Sequence, residues 1–209
     1  MDHFEWIHMS NSNINDEEFH NFILCLSDIR VNKYMDMITK HSPNTLYAFN
    51  THFFTALYIN GFSRIHRWTK NIDIFSKERL FIPIYFKSNL MWGLIYVNFG
   101  DKSIRFYDSH GHGGMRYQKL ILKYLKLEYL MKKGKFFCTA DWKFTNLNNL
   151  DDGFKRWDSG LFMCFIAHHF ALNLSADATL PFSSEGVGGE KTVREKIETE
   201  LKNNFISIS

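Results

Sequence analysis

The stretch "DSGLFMCFIAHHFAL" (158–172) begins with polar Asp158 and Ser159, then turns apolar nearly all round. A helix that is hydrophobic on every side belongs in a core. Its first turn would carry Ser159, a small hydroxyl residue before Gly160, to the mouth of a buried helix. Unpaired backbone N–H groups and the helix dipole favour negative charge there, as a nucleophile site requires. A serine becomes a useful nucleophile only beside a base that takes its proton. The rest of the chain must therefore supply that base and the sheet against which the helix packs.

Working outward, "LFIPIYF" (80–86), "WGLIYVNF" (92–99) and "SIRFYD" (103–108) are β-branched and aromatic runs that predict strands. Gly100-Asp101 makes a turn between the last two, hence a hairpin. "LYAFNTHFFTALYING" (46–61) predicts a buried helix ended by Gly61. "MRYQKLILKYLKLEYLMKKGK" (115–135) predicts an amphipathic helix stopped by Gly134, its lysines forming a solvated face. "KFFCTADWKFTNL" (135–147) suggests a further strand, and "EKTVREKIETELKNNFI" (190–206) a final exposed helix. Near the start, Asn15-Asp16-Glu17-Glu18 reads as a first helical turn, followed by Phe19, Phe22, Ile23 and Leu26 at helical spacing. "HSPN" (41–44) and "LPFSSEGVGG" (180–189) read as loops. The layout is α+β: a central mixed sheet flanked by helices, with one buried helix bringing its N-terminus to the sheet edge.

With 209 residues and 24.8 kDa, the chain supports one sizeable core, a single domain over 1–209. Hydrophobic content of 45% with 21 Phe excludes disorder and leaves apolar surface for a protein partner. A net charge of +3 is only mildly basic, so direct nucleic-acid binding is not expected. Cys25, Cys138 and Cys164 are odd in number and show no CxxC, which argues against a disulfide framework or zinc site. No metal or cofactor is expected. His168-His169 are adjacent on a helix and point to different faces, so they read as core histidines. No run reaches membrane-span length and "MDHFEWIHMS" carries no signal-peptide core, so a nuclear or cytosolic protein fits.

Placed together, "AFNTHFF", "HRWTKNIDIF", "NLMWGLIYVNF", "RFYDSHG" and "RWDSGLF" resemble the Ulp/SENP family of SUMO-specific cysteine proteases, in order, from about residue 13 to about 172. The resemblance implies a papain-like, Ulp-type fold and a nuclear setting. It also implies four groups: a Cys nucleophile at the buried helix's N-terminus, a His base before a strand Trp, an Asp that orients the His, and a Gln in the oxyanion hole. Carried onto this chain, the nucleophile falls at Ser159 and the base at Met91, next to Trp92. The orienting Asp is kept as Asp108, 17 residues after Met91 as in the family. The Gln, six residues before the nucleophile, falls at Gly153. A thioether accepts no proton near neutral pH, and a glycine has no side chain to donate. Three of the four groups are replaced, and the chain reads as a pseudoprotease that acts as a scaffold or adaptor. The alternative is an altered deSUMOylating hydrolase using Ser159 with Asp108 and a displaced histidine such as His110 or His112.

Binding rests on other residues. The resemblance assigns Asp16, Phe49, Arg67 and Trp68 to a face that meets SUMO or another ubiquitin-like protein. It assigns Trp92 to one wall of the tunnel that grips the partner's tail, with Asn13 loosely matching the other wall.

Overall fold

The computed structural model describes residues 25–42, 44–88, 90–109, 113–147, 158–172 and 190–207. The chain runs α1 (Asp28–His41), β1 (Leu46–Ala48), α2 (Thr51–Asn60), a single turn α3 (Phe62–Ile65) and a 3₁₀ turn (Ile74–Ser76). It continues with β2 (Arg79–Phe86), β3 (Met91–Asn98), β4 (Ser103–Asp108), α4 (Met115–Lys133), β5 (Lys143–Leu147), α5 (Ser159–Ala171) and α6 (Glu190–Asn203). The strands form one mixed sheet in the order β1-β2-β3-β4-β5. β2, β3 and β4 are antiparallel, whereas β1 and β5 join the two sides in parallel. Parallel neighbours need a crossover, and α2 and α4 supply the two.

Alternation along the strands sorts side chains to two faces. Leu80, Ile82, Ile84, Ile95, Val97, Ile104 and Phe106 meet α2 and α4 on one face. Phe81, Trp92, Leu94, Tyr96 and Tyr107 meet α5 and its neighbours α1 and α6 on the other. The antiparallel strands therefore read as nearly continuous apolar runs, because each is covered twice. α5 is buried along almost its whole length, as its composition predicts.

Several boundaries differ from expectation. The 46–61 segment is not all helix: Leu46–Ala48 pairs with Arg79–Phe81, and α2 starts only after Asn50, whose Oδ1 accepts the His52 and Phe53 N–H groups. Gly61 ends α2 with φ +72°, a backbone shape that suits glycine. In the 135–147 segment only Lys143–Leu147 is strand. α6 is not wholly exposed, since Val193, Ile197 and Leu201 recur at helical spacing and are buried. α1 was not foreseen, although Ser27 caps it by accepting the Arg30 N–H, and Val31, Tyr34, Met35 and Ile38 make its buried stripe. The expected helix before Leu26 and the loop at 180–189 lie outside the described residues.

A buried polar cluster ties α6 to α1 and α5. Tyr34 Oη donates to Glu200 Oε2 at 2.6 Å and lies 2.8 Å from His168 Nδ1. The Ser207 N–H donates to Glu200 Oε1 at 2.9 Å, and His168 Nε2 is 3.0 Å from the Ser207 carbonyl. Burial alone would raise the Glu200 pKa, but the hydrogen bonds from His168, Ser207 and Tyr34 outweigh it and set it at about 2. A carboxyl with a lowered folded-state pKa stabilises the fold above its unfolded value of 4.5, and that contribution drains away as pH falls towards 2. Chemical denaturation between pH 7 and pH 2 should show this loss below pH 4.5 in the parent chain. Glu200→Gln should be less stable at pH 7 by about 1–3 kcal/mol, with a flatter profile across the acid window.

Candidate functional site

The site is built where the start of α5 abuts the start of β3. Ser159 is fully buried, and its Oγ accepts the Trp92 backbone N–H at 2.9 Å. Gly160 follows for a steric reason: a Cβ there would lie 3.0 Å from both Leu26 Cβ and Trp92 Cδ1. Trp92 is held in turn, because its indole N–H donates to the Leu26 carbonyl at 3.0 Å and its ring lies 4.8 Å from that of Tyr85. Asp158, also fully buried, is ion-paired with Arg194 of α6. α6 thereby anchors the mouth of α5 from outside.

Across the sheet, Met91 and Asp108 are both 2% exposed. Gly93 pairs with Asp108 in the β3–β4 register. Alternation puts Met91 on the Gly93 face, diagonal to Asp108, a relation that long side chains can bridge. The missing side chain at Gly93 is taken up by aromatic packing, since a Cβ there would lie 3.0 Å from the Phe86 ring and 3.1 Å from the Phe106 ring. Met91 and Asp108, the residues that the resemblance matches to a base and its orienting acid, thus lie on one face of neighbouring strands.

Among the described residues, no imidazole is hydrogen-bonded to Ser159. His168 and His169 lie at the far end of α5, about 14 Å along the axis at 1.5 Å per residue. His168 is engaged in the polar cluster, and burial followed by the neighbouring His168 holds the His169 pKa below its usual value. Gly153, Asp16, Asn13, His110 and His112 lie outside the described residues.

The expected binding residues fall into two groups. Arg67 and Trp68 are exposed. The Trp68 ring lies 5.8 Å from that of Phe53, and Arg67 lines a shallow cleft of about 580 Å³ with His66, Lys70, Glu128, Met131 and Lys132. Phe49 is different: 1% exposed and stacked 3.8 Å from Phe53, it is core beneath that surface and offers nothing to a partner. Trp92 is likewise only 4% exposed, covered by Tyr85 and Leu26, so it presents no open tunnel wall. Sequence reasoning missed Glu128 and Arg194. Glu128 falls in phase with the apolar stripe of α4 (Ile121, Tyr124, Leu125), a signal that it is buried; it accepts the Thr69 hydroxyl and pairs with Lys132. No local pattern pairs Arg194 with Asp158.

Comparison with known proteins places these features. Residues 24–197 match the family "Ulp1 protease family, C-terminal catalytic domain". The chain is 34% identical over 148 residues to sentrin-specific protease 3 of Mus musculus, covering 71% of this chain and 26% of that protein. It is 30% identical over 176 residues to sentrin-specific protease 5 of Macaca fascicularis, covering 84% of this chain and 22% of that one. It therefore spans about a quarter of the length of these relatives. Among solved structures, the yeast Ulp1 protease domain in complex with Smt3, the yeast ortholog of SUMO, superposes with a TM-score of 0.67 at 23% identity, over 86% of this chain and 77% of that one. SUMO protease Ulp1 with its catalytic cysteine oxidised to a sulfenic acid superposes with a TM-score of 0.70 at 24% identity, over 86% and 78%.

The Asp158–Arg194 pair gives the site a stability test. Arg194→Ala leaves a fully buried carboxylate without its guanidinium, and urea unfolding at pH 7 should show a loss of about 3 kcal/mol. Arg194→Lys should recover part of that loss.

Proposed function

This chain belongs to the Ulp1 protease family, and from the altered residues of its site we propose that it is a SUMO-protease-like domain that does not cleave. It acts instead by protein–protein interaction, as a scaffold or adaptor, as one domain within a nuclear or cytosolic setting. The observation that carries this reading is Met91 beside Asp108, with Ser159 buried and engaged only by a backbone N–H among the described residues. Without a base, a serine hydroxyl remains a poor nucleophile, and loss of such a group removes several orders of magnitude in rate. Gly153 at the oxyanion position removes a further donor, a change that typically costs 10²–10³ in rate.

Binding does not need these groups. The family's named members act on sentrin, and one relative was solved with the yeast SUMO ortholog bound. The partner we propose is a ubiquitin-like protein of that kind, met by the exposed Arg67 and Trp68 and by Asp16. An aromatic and a guanidinium side by side suit an interface anchor.

Incubation with a SUMO precursor and with a SUMO conjugate should give no product above a Ser159→Ala control, even at micromolar protein. Turnover that disappears in Ser159→Ala would instead establish a serine hydrolase. Restoring Met91→His with Ser159→Cys should yield at most weak cleavage, because Gly153 is unchanged. In calorimetric titration with SUMO, Trp68→Ala or Arg67→Glu should weaken binding about tenfold. Equal affinity for parent and variants would place the interface elsewhere.

A further inference from the structure

The outer face of α4 is a line of positive charge that the proposed function does not use. Arg116, Lys119, Lys123 and Lys126 follow one another at steps of three and four residues and are all exposed. They lie opposite the buried stripe of Tyr117, Ile121, Tyr124, Leu125 and Glu128. None of the four has a carboxylate partner among the described residues. Lys132 and Lys133, nearly two turns on, are neutralised by Glu128 and Asp73.

A net charge of +3 conceals this arrangement. Residues 113–147 hold eight basic residues and two acids, while the rest of the chain holds seventeen basic and twenty acidic. Of those two acids, Glu128 is buried and Asp141 is paired with Lys102. The chain is thus polarised, with one basic element on an otherwise slightly acidic molecule. Charge asymmetry of this kind is the electrostatic footprint of a polyanion site.

We propose that this face of α4 docks a nucleic-acid duplex through its phosphates, without reading sequence. The line of four cations is about 15 Å long at 1.5 Å per residue, and a duplex presents about nine phosphates over that length. Three of the four are lysines, compact charges on flexible stems that suit phosphate contact more than bidentate base readout. A protein interface would want exposed apolar or aromatic anchors amid the charges. Between Arg116 and Lys126 the apolar residues are buried or, like Leu120 and Leu122, half-buried and packed against the core, and the exposed Met115 and Leu130 lie beyond its two ends. A single strand would want exposed rings for base stacking, which the same run lacks. Membrane insertion needs an apolar face free to enter lipid, and that face of α4 is already packed on the sheet.

The test is fluorescence anisotropy of the whole chain with a labelled 24-base-pair DNA duplex of arbitrary sequence, from 50 to 200 mM salt. Saturable binding is expected, with a log–log salt slope of about −3 to −4 for three or four neutralised phosphates. Lys119→Glu with Lys123→Glu and Lys126→Glu should weaken it more than tenfold at 50 mM salt. The neutral version, Lys→Gln at the same three positions, should flatten the slope by about 2–3. All three positions are exposed, so both variants should keep the parent's circular dichroism and unfolding midpoint. Three results would overturn the proposal: no binding at 50 mM salt, equal binding by the charge-reversed variant, or stronger capture by vesicles containing phosphatidylserine or by a poly-glutamate peptide than by the duplex. SUMO binding plays no part in this readout, so the two surfaces stand or fall separately.

Discussion

The structure hinges on how closely the first turn of α5 approaches the start of β3. A hydroxyl at 159 accepts a strand N–H, and the absence of a side chain at 160 lets Leu26 and the Trp92 ring close over the helix. A buried ion pair from α6 holds the preceding residue. A helix this apolar would pack somewhere in any compact chain. These contacts fix where its N-terminus ends up, and so where any chemistry could occur.

That approach does not depend on the residues to which the resemblance assigns chemistry. Packing α5 against the sheet draws on Leu161, Phe162, Met163, Ile166 and Phe170, none of which takes part in proton transfer. Met91 fits a buried strand position at least as well as an imidazole would, since a thioether carries no polar atom that needs a strong partner. On the function proposed above, the fold is indifferent to whether residue 91 is an imidazole or a thioether. Family membership and catalytic competence rest on different residues, and the second can lapse while the first stays legible.

The sheet also separates two outer environments. On the α5 face, the Tyr34–His168–Glu200–Ser207 cluster is buried and its members hydrogen-bond one another. On the α4 face, charge lies on the outside and is of one sign over three turns of helix. Beside α4, Arg67 lines a shallow cleft that also takes in the buried Glu128. Each surface owes its character to which side of one helix the sheet covers.

Some of this was legible in the residues themselves. Strand periodicity located β2, β3 and β4 within a residue, Gly134 stopped α4, and the uniformly apolar 159–171 run declared itself buried, because these signals are local. Met91, Asp108 and Ser159 could be matched to the family's motif through the resemblance of the residues that flank them, with the spacing from Met91 to Asp108 agreeing. Local signals failed where a neighbour decides the outcome. Leu46–Ala48 became strand because β2 lay alongside to pair with it, Phe49 became core because Phe53 stacked on it, and one stripe of α6 was buried because it packs into the core with α5. The sequence alone determined the segments with strong local periodicity (β2, β3, β4, α4 and α5) and which groups are present for chemistry. Only the tertiary structure decided which side chains are covered and which carboxylate meets which guanidinium, because burial and long-range pairing depend on what another part of the chain brings to the same place.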